Sequence, residues 1–560
     1  MQISAWPYLY GLVSSVPFQN GMQLREISTS DVREIQEAFA QAASYVSESG
    51  FDGIDLHASH GSLIECFCSP VMNRRTDRYG GSVENNLRFL TEIISMIRKH
   101  SQTHLAVGLR LCADEKIEGG IQPNYAAKMI ELLDGKIDFA NIDRGSIYYN
   151  FNTTDQGALQ TQPLYSETAY GIYMSEEVKK TAKYTKIGIA GRIMDPLTAD
   201  SIIEKKQADY VGMTRALIAD PELPLKAMTG RVMDIRPCIG TLQDCIGRIV
   251  RGHPMRCTVN PAVGRENARG VQVIKKAENA KRILIIGAGP SGLEAARIAS
   301  ERGHSIVIYE KAREIGGQVN LARLLPGRSD IGAIIGWYET QLRNNNVQIE
   351  LHKEILNDPD VIQYVLDEEK PDAVIVATGS IPVRNGMQMI TFREVPGWNG
   401  STVHTIDESI SLGGLDGTVA VIDSTTYIDG PGIAEWLTRN RAKEVILVTP
   451  HSQLSPELFF YNQAMHVYRR MVQAKIKVIT HSWVRRIQGK KALIRNIPIG
   501  TEEVIEADNF VLNTGRQQNN EIYNFFQGKV QEIYEVGDCD IAGGRIGRAI
   551  ETGFKIGASI

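Results

Sequence analysis

Residues 281–311 read KRILIIGAGPSGLEAARIASERGHSIVIYEK. An apolar strand runs straight into Gly287, Gly289 and Gly292, a helix-forming stretch follows, and a second apolar strand ends on Glu310. Such glycines permit a tight turn and let backbone N–H groups approach a pyrophosphate at a helix N-terminus; an acid about 20 residues on accepts from a ribose hydroxyl. This pattern demands a parallel βαβ unit, so the chain must contain an α/β sheet. It predicts a dinucleotide site, with an unliganded βαβ unit as the alternative.

The rest of the chain reads as further α/β blocks. DAVIVATGS (372–380) and NFVLNTGR (509–516) are predicted strands ending in glycine turns, and EIYEVGDCD (532–540) is a strand with an exposed acid, Asp538, at its end. TVAVIDSTTYIDGPGIAEWL (418–437) has the same strand–loop–helix form, with KEVILVTP (443–450) as its next strand. There, however, Asp423, Ser424, Thr425 and Thr426 stand where the close-set glycines of a nucleotide turn belong. That loop is either a nicotinamide site or a Rossmann-like domain without its ligand. Upstream, helix and strand alternate. Ser30 or Asp31 can cap a first helix whose apolar stripe is Val32, Ile35, Phe39, Ala42, Ala43 and Val46. Strands are expected at 51–58, 105–111, 137–143, 186–192 and 208–216. Regular βα alternation implies a parallel sheet, doubly wound or barrel-like, and five strands fall short of the eight in a closed βα barrel.

Composition narrows the partners. The 560 residues suffice for several domains, and 61 basic against 65 acidic residues leave a formal charge of −4. No basic stripe points to nucleic acid and no lysine-rich amphipathic segment to a membrane surface. The apolar runs are far below the roughly 20 residues of a spanning helix, and MQISAWPYLYG has no secretory character. A cytoplasmic chain without membrane insertion is expected. Seven unevenly spread cysteines argue for a reducing compartment and against a disulfide framework. Cys66, Cys68 and Cys112 are expected to be inert packing residues, while Cys238, Cys245 and Cys257 crowd into one short stretch.

Five stretches carry a resemblance: HASHGSLIECFCSPVMNRRTDRYGGSVENNLRF (57–89), the cysteine stretch with VNPAVGRE (259–266), GAGPSGLEAA (287–296), ATGS (377–380) and VGDCD (536–540). Together they resemble the iron–sulfur flavoenzymes that join an old-yellow-enzyme barrel to a two-domain flavin disulfide-reductase-like module, the family of 2,4-dienoyl-CoA reductase and trimethylamine dehydrogenase. The resemblance implies an α/β chain: a partial (β/α)8 barrel of about five strands (1–228), an iron–sulfur segment (229–275), an FAD-binding first part (276–395), an NAD(P)-binding-like domain (396–516) and an FAD-binding second part (517–560). It implies FMN at the barrel mouth, with Arg110 facing the flavin ring and Gly191, Arg192, Gly212 and Arg215 at the phosphate. It implies FAD on Gly287, Gly289, Gly292, Glu310, Gly317, Gln318 and Asp538, and NAD(P)H as electron donor. His57 and His60 look like the pair that hydrogen-bonds a substrate carbonyl and polarises the adjacent double bond; metal ligation or a satisfied core histidine stand beside that role.

The family holds [4Fe–4S] on four cysteines, and Cys238, Cys245 and Cys257 match, but Thr241 stands in the second ligand's place. A hydroxyl is a poor iron ligand, so a [3Fe–4S] cluster, a four-iron cluster with water or another side chain on one iron, and no cluster stay open; zinc would need a ligand such as His253. Two function classes follow. The first is an oxidoreductase that passes electrons from NAD(P)H through FAD and the cluster to FMN and reduces an activated C=C bond of enoate or enoyl-CoA type in a small molecule. In the amine-dehydrogenase branch a tyrosine takes the first histidine position and an aspartate lies on a later strand. Here the first position is His57 and the later turn reads DRGSIYYN (143–150), so ene reduction is preferred to demethylation. The second class is an FAD-bearing electron-transfer or scaffold subunit. Relatives begin earlier in the barrel, so its remaining strands are expected to be truncated, lost or supplied by another chain, with a partner chain or second copy covering the open edge.

Overall fold

The computed structural model describes residues 2–3, 10–11, 25–101, 105–146, 160–270, 273–388 and 390–560. Of the DRGSIYYN turn, only Asp143–Ser146 lie among them. The chain divides into two compact units, residues 1–162 with 166–216 and residues 163–165 with 217–560.

Among the described residues, the first unit is built on a parallel sheet of six strands, one more than the sequence pattern yields. In spatial and chain order these are β1 (Gln2–Ile3), β2 (Gly53–Ala58), β3 (Ala106–Asp114), β4 (Phe139–Arg144), β5 (Lys186–Ala190) and β6 (Tyr210–Gly212). The extra strand is β1, whose two residues pair parallel with Asp55 and Leu56, too short a run for hydrophobic alternation to reveal. Residues of one face line up across the ladders: His57 opposite Arg110, and Arg110 opposite Asn141. Two glycines on that face make room for neighbouring rings. A Cβ on Gly108 would lie 2.1 Å from the Phe139 ring, and one on Gly188 would lie 2.2 Å from the Tyr210 ring.

Helix α1 (Thr29–Glu48) packs outside this sheet. Its cap is Ser28, not Ser30 or Asp31: the Ser28 hydroxyl accepts from the Asp31 N–H while the Asp31 carboxylate accepts from the Ser28 N–H, a capping box closed by Asp instead of Glu. The buried stripe is turned by one residue from the apolar pattern, with Gln36 and Ala40 inside and Ile35 and Ala42 half-buried. Gln36 tolerates burial because its Nε2 donates to Glu92 Oε2 at 2.9 Å. Helix α2 (Leu63–Cys68), capped by Ser62, follows β2, and α3 (Arg88–His100) packs beside α1.

In the second unit, strands β7 (Arg282–Ile286), β8 (Ser305–Glu310), β9 (Gln348–Leu351) and β10 (Ala373–Val376) share a five-stranded parallel sheet in the order β9-β8-β7-β10, with the strand Glu532–Glu535 beyond β10. A second parallel sheet intervenes in sequence: β11 (Val403–Thr405), β12 (Gly417–Asp423), β13 (Ala442–Val448), β14 (Lys477–Ile479) and β15 (Asn509–Asn513), in the order β11-β15-β12-β13-β14. The chain then returns to the first sheet as β16 (Glu532–Glu535). Helix α4 (Pro290–Glu301) leaves β7, α5 (Asp429–Arg439) follows β12, and the last helix, α6 (Ile546–Ser559), lies against α4. Two glycines on α6 let the backbones touch: a Cβ on Gly553 would lie 2.1 Å from the Ser291 carbonyl oxygen, and one on Gly557 would lie 2.7 Å from that of Ala295.

Candidate functional site

His57 belongs to β2 itself, and His60 lies beyond its end in a turn where His60 (φ 59°) and Gly61 (φ 79°) are both left-handed. That conformation is costly for histidine, and local bonds hold it: the Ser62 hydroxyl donates to the His57 carbonyl at 2.6 Å, and the Gly61 N–H donates to the Glu65 carboxyl. The two imidazoles lie 5.5 Å apart, centroid to centroid. Asp143, at the end of β4, joins them to the arginine: Arg110 Nε donates to Asp143 Oδ2 at 2.8 Å, and His60 Nε2 lies 3.1 Å from the same oxygen. Burial alone would raise the Asp143 carboxyl, but His60 and Arg110 outweigh it and hold the group well below the usual carboxylate range. His57 is pushed down to about 4, first by burial and then by the charges of His60 and Arg110. The structure therefore brings His57, His60 and Arg110 together and adds Asp143. No spacing singles Asp143 out; the only signal was the aspartate that the amine-dehydrogenase branch carries on a later strand.

Beneath this turn lies a pair of acids. Glu65 and Glu115 are both fully buried and hydrogen-bonded to each other. Glu115 also accepts from the Ile121 N–H at 2.7 Å and the Ser69 hydroxyl at 3.0 Å. Burial first, and the neighbouring Glu115 charge second, push Glu65 well above the carboxylate range, so it is the protonated member.

The expected phosphate residues gather on the neighbouring loops. Gly191 (φ 137°) and the buried Arg192 (φ 54°) follow β5, while Gly212 ends β6 and Arg215 lies one turn on. Arg215 Nη1 donates to the Gln162 carbonyl, and Gln162 Nε2 donates to the Tyr170 hydroxyl. A Cβ on Gly191 would lie 2.8 Å from the Tyr170 ring, over which the Arg144 guanidinium sits at 3.5 Å. Arg144 and Tyr170 thus join a site whose glycines and arginines alone were legible.

In the second unit, Gly287, Gly289, Glu310, Gly317, Gln318 and Asp538 all line one cavity of about 1110 Å³. Gly287 (φ 106°) needs its missing side chain because a Cβ there would lie 2.5 Å from the Ala377 carbonyl oxygen. Gly292 lies outside the cavity and seats α4: its Cβ would lie 2.1 Å from the Gly287 carbonyl oxygen. Glu310 is fixed by the N–H groups of Ala288 (2.7 Å) and Ala312 (2.8 Å). Across the cavity, Gln318 Nε2 donates to the Ser380 hydroxyl at 3.0 Å, and that hydroxyl donates to Asp538 Oδ2 at 2.8 Å. The cavity reaches Ser424–Asp429, the second nucleotide-type loop. Asp423, buried where a first glycine would stand, accepts from the Thr425 N–H (3.0 Å) and Asn513 Nδ2 (2.9 Å), and burial pushes it up to about 7. It is accommodated because residue 430, in the first turn of α5, is glycine: a Cβ there would lie 2.1 Å from Asp423 Oδ2.

Cys238, Cys245 and Cys257 are half-buried, whereas Cys66, Cys68, Cys112 and Cys539 are buried. Cys257 accepts from the backbone N–H groups of Val259 and Asn260, and its thiol is pushed up by burial first and then by Cys238 and, more weakly, Cys245. Among the described residues no three His, Cys, Asp or Glu side chains converge on a point where a single metal ion could sit. An iron–sulfur cluster takes each thiolate at a separate corner, and amide-to-sulfur bonds stabilise such thiolates, so this donor set fits a cluster better than zinc.

Known proteins match both units. The model of the NADH:flavin oxidoreductase / NADH oxidase family matches residues 13–234, and that of the pyridine nucleotide-disulphide oxidoreductases matches 281–548. NADH oxidase of Thermoanaerobacter brockii is 32% identical over 550 residues, 96% of this chain and 79% of that protein. The structure of 2-naphthoyl-CoA reductase with 2-naphthoyl-CoA is 28% identical with a TM-score of 0.86 over 98% of this chain and 80% of that one. The 6-hydroxypseudooxynicotine amine oxidase of Pseudomonas geniculata N1 shares 28% identity and a TM-score of 0.86 over 97% and 80%. Among the described residues no helix is long and apolar enough to cross a membrane. FMN serves the first of these families, FAD and NAD(P)H the second, and relatives of this composite type carry iron–sulfur clusters. The chain belongs to the NADH:flavin oxidoreductase / NADH oxidase family, in the form joined to a pyridine nucleotide-disulphide oxidoreductase unit, and is an NADH-dependent flavin oxidoreductase.

Proposed function

We propose that this oxidoreductase reduces an activated C=C bond conjugated to a carbonyl, as in an enoate or enoyl thioester, with electrons from NAD(P)H. Flavins supply the hydride chemistry when bound. FAD would be held by Gly287, Gly289, Glu310, Gly317, Gln318 and Asp538, on a turn whose helix is seated by Gly292. FMN would be held by Gly191, Arg192, Gly212 and Arg215, with Arg110 at its ring. Cys238, Cys245 and Cys257 would hold the cluster.

The observation that carries the reading is the imidazole pair beside Arg110, with His57 kept neutral. A neutral imidazole offers an N–H to a carbonyl oxygen and polarises the conjugated alkene toward hydride. Asp143 fixes the His60 ring. One observation favours a second reading. An ionised Asp143 at 3.1 Å from His60 would also hold a substrate ammonium, as an amine dehydrogenase or demethylase requires.

Anaerobic flavin absorbance separates the readings. NADH should bleach the holoprotein and a cinnamate-type enoate should restore its colour, with His57→Ala slowing only the second phase, by about 10²–10⁴. Bleaching by a secondary or tertiary amine, with no response to enoates, would replace the first reading by the second. FAD extracted without FMN would reduce the chain to an electron-transfer subunit.

A further inference from the structure

We propose that the cysteine segment carries a three-iron cluster, [3Fe–4S] on Cys238, Cys245 and Cys257, whose fourth corner, at Thr241, holds no iron. The inference rests on the iron–sulfur reading above and concerns what Thr241 and its neighbours do to it. The Thr241 hydroxyl is buried, 3.2 Å from that of Thr258, and the Thr258 hydroxyl donates to Asp244 Oδ2 at 3.0 Å. Thr258 has one hydroxyl hydrogen, and the carboxylate takes it. The hydrogen in the first contact is therefore Thr241's own.

That assignment has a chemical consequence. To bind iron as an anion, Thr241 would have to give up this hydrogen at the head of a chain that ends on a carboxylate, bringing two negative charges together in a buried place. The Thr241 carbonyl is also engaged, accepting from Gln463 Nε2 at 2.7 Å.

Asp244, the acid that precedes Cys245, is committed elsewhere. Its carboxylate accepts from Thr258 and packs against the first turn of α6, where a Cβ on Gly547 would lie 2.3 Å from Oδ2. The exposed amides of a helix start favour an anion there. A fourth iron would be left with water as its only outer ligand, beside a cavity that Thr241 and Gln243 both line. An iron without a thiolate anchor is the one that leaves, as Fe2+, a loss that needs no oxidant and returns the three-iron core.

The test is iron and sulfide analysis with electron paramagnetic resonance on anaerobically purified holoprotein. The oxidised protein should contain three irons and four sulfides per chain and show a sharp signal near g of about 2. Thr241→Cys should raise the count to four and silence the oxidised signal. Asp244→Asn should leave count and signal unchanged, which keeps the proposal testable if the cysteine variant does not fold. Four irons with a silent oxidised state in the native chain, loss of iron in Asp244→Asn, or no iron in flavin-loaded protein would each overturn it. Acid-extracted flavin, measured on the same sample, separates this failure from that of the functional reading: missing FAD or FMN damages the latter and leaves the iron count to speak for itself.

Discussion

A carboxyl group without access to water is stable only if it is paired or keeps its proton, and Glu65 does both, donating a hydrogen bond to Glu115 while accepting from the Gly61 N–H beside His60. Its folded pKa lies above its unfolded one. Above about pH 4.3 the unfolded chain therefore releases a proton that the folded chain retains, and stability falls as pH rises, by up to about 1.4 kcal/mol per pH unit. Glutamine mimics the protonated acid at every pH, its amide donating to Glu115 and its oxygen accepting from Gly61. Glu65→Gln should lose less stability than the native chain between pH 5 and 8 in urea unfolding; parallel pH profiles would show that Glu65 is ionised in the fold. At this scale the sequence was half legible. His57, His60 and Arg110 stand in recognisable motifs, whereas Asp143 and Arg144 matter through the register of β4 against β3 and through a ring contact, which no local spacing records.

Elements were more legible than residues where one segment sets its own geometry. The turn after β7 needs its glycines for reasons visible in sequence, but the structure gives each a different task. A Cβ on Gly289 would meet no protein atom within 4 Å, yet the residue lines the cavity; a Cβ on Gly292 would strike the Gly287 carbonyl. Gly289→Ala should unfold within about 0.5 kcal/mol of the native apoprotein and bind FAD at least tenfold more weakly. Gly292→Ala should destabilise by about 1–3 kcal/mol. Denaturant unfolding and FAD titration of both variants check this, and equal losses of stability would contradict the division of roles. Strand β1 and the turn at Ser28 were hidden for the opposite reason. A two-residue strand exists only through its partner, and a cap is chosen among several competent residues by where the helix must start to pack.

On the scale of the whole molecule, each unit has its own core: Phe39, Leu56, Phe89 and Leu109 in the first, and Leu293, Tyr338, Val421 and Phe510 among the cores of the second. Calorimetry should resolve two transitions. FAD at a hundredfold excess over its Kd should raise the stability of the second unit by about 2.7 kcal/mol and leave the first in place. A single transition that shifts as one would contradict this. The two-part architecture was readable because the glycine turn and the βα alternation lie far apart in sequence. The return of β16 to the first sheet comes from pairing between distant segments. One consequence of the contact between α4 and α6 is kinetic. Where Gly553 and Gly557 let two backbones touch, there are no side-chain rotamers through which the pair can yield. A seat of that stiffness holds the start of α4 in one place, so the turn after β7 would meet a dinucleotide already shaped and would spend little ordering on holding it.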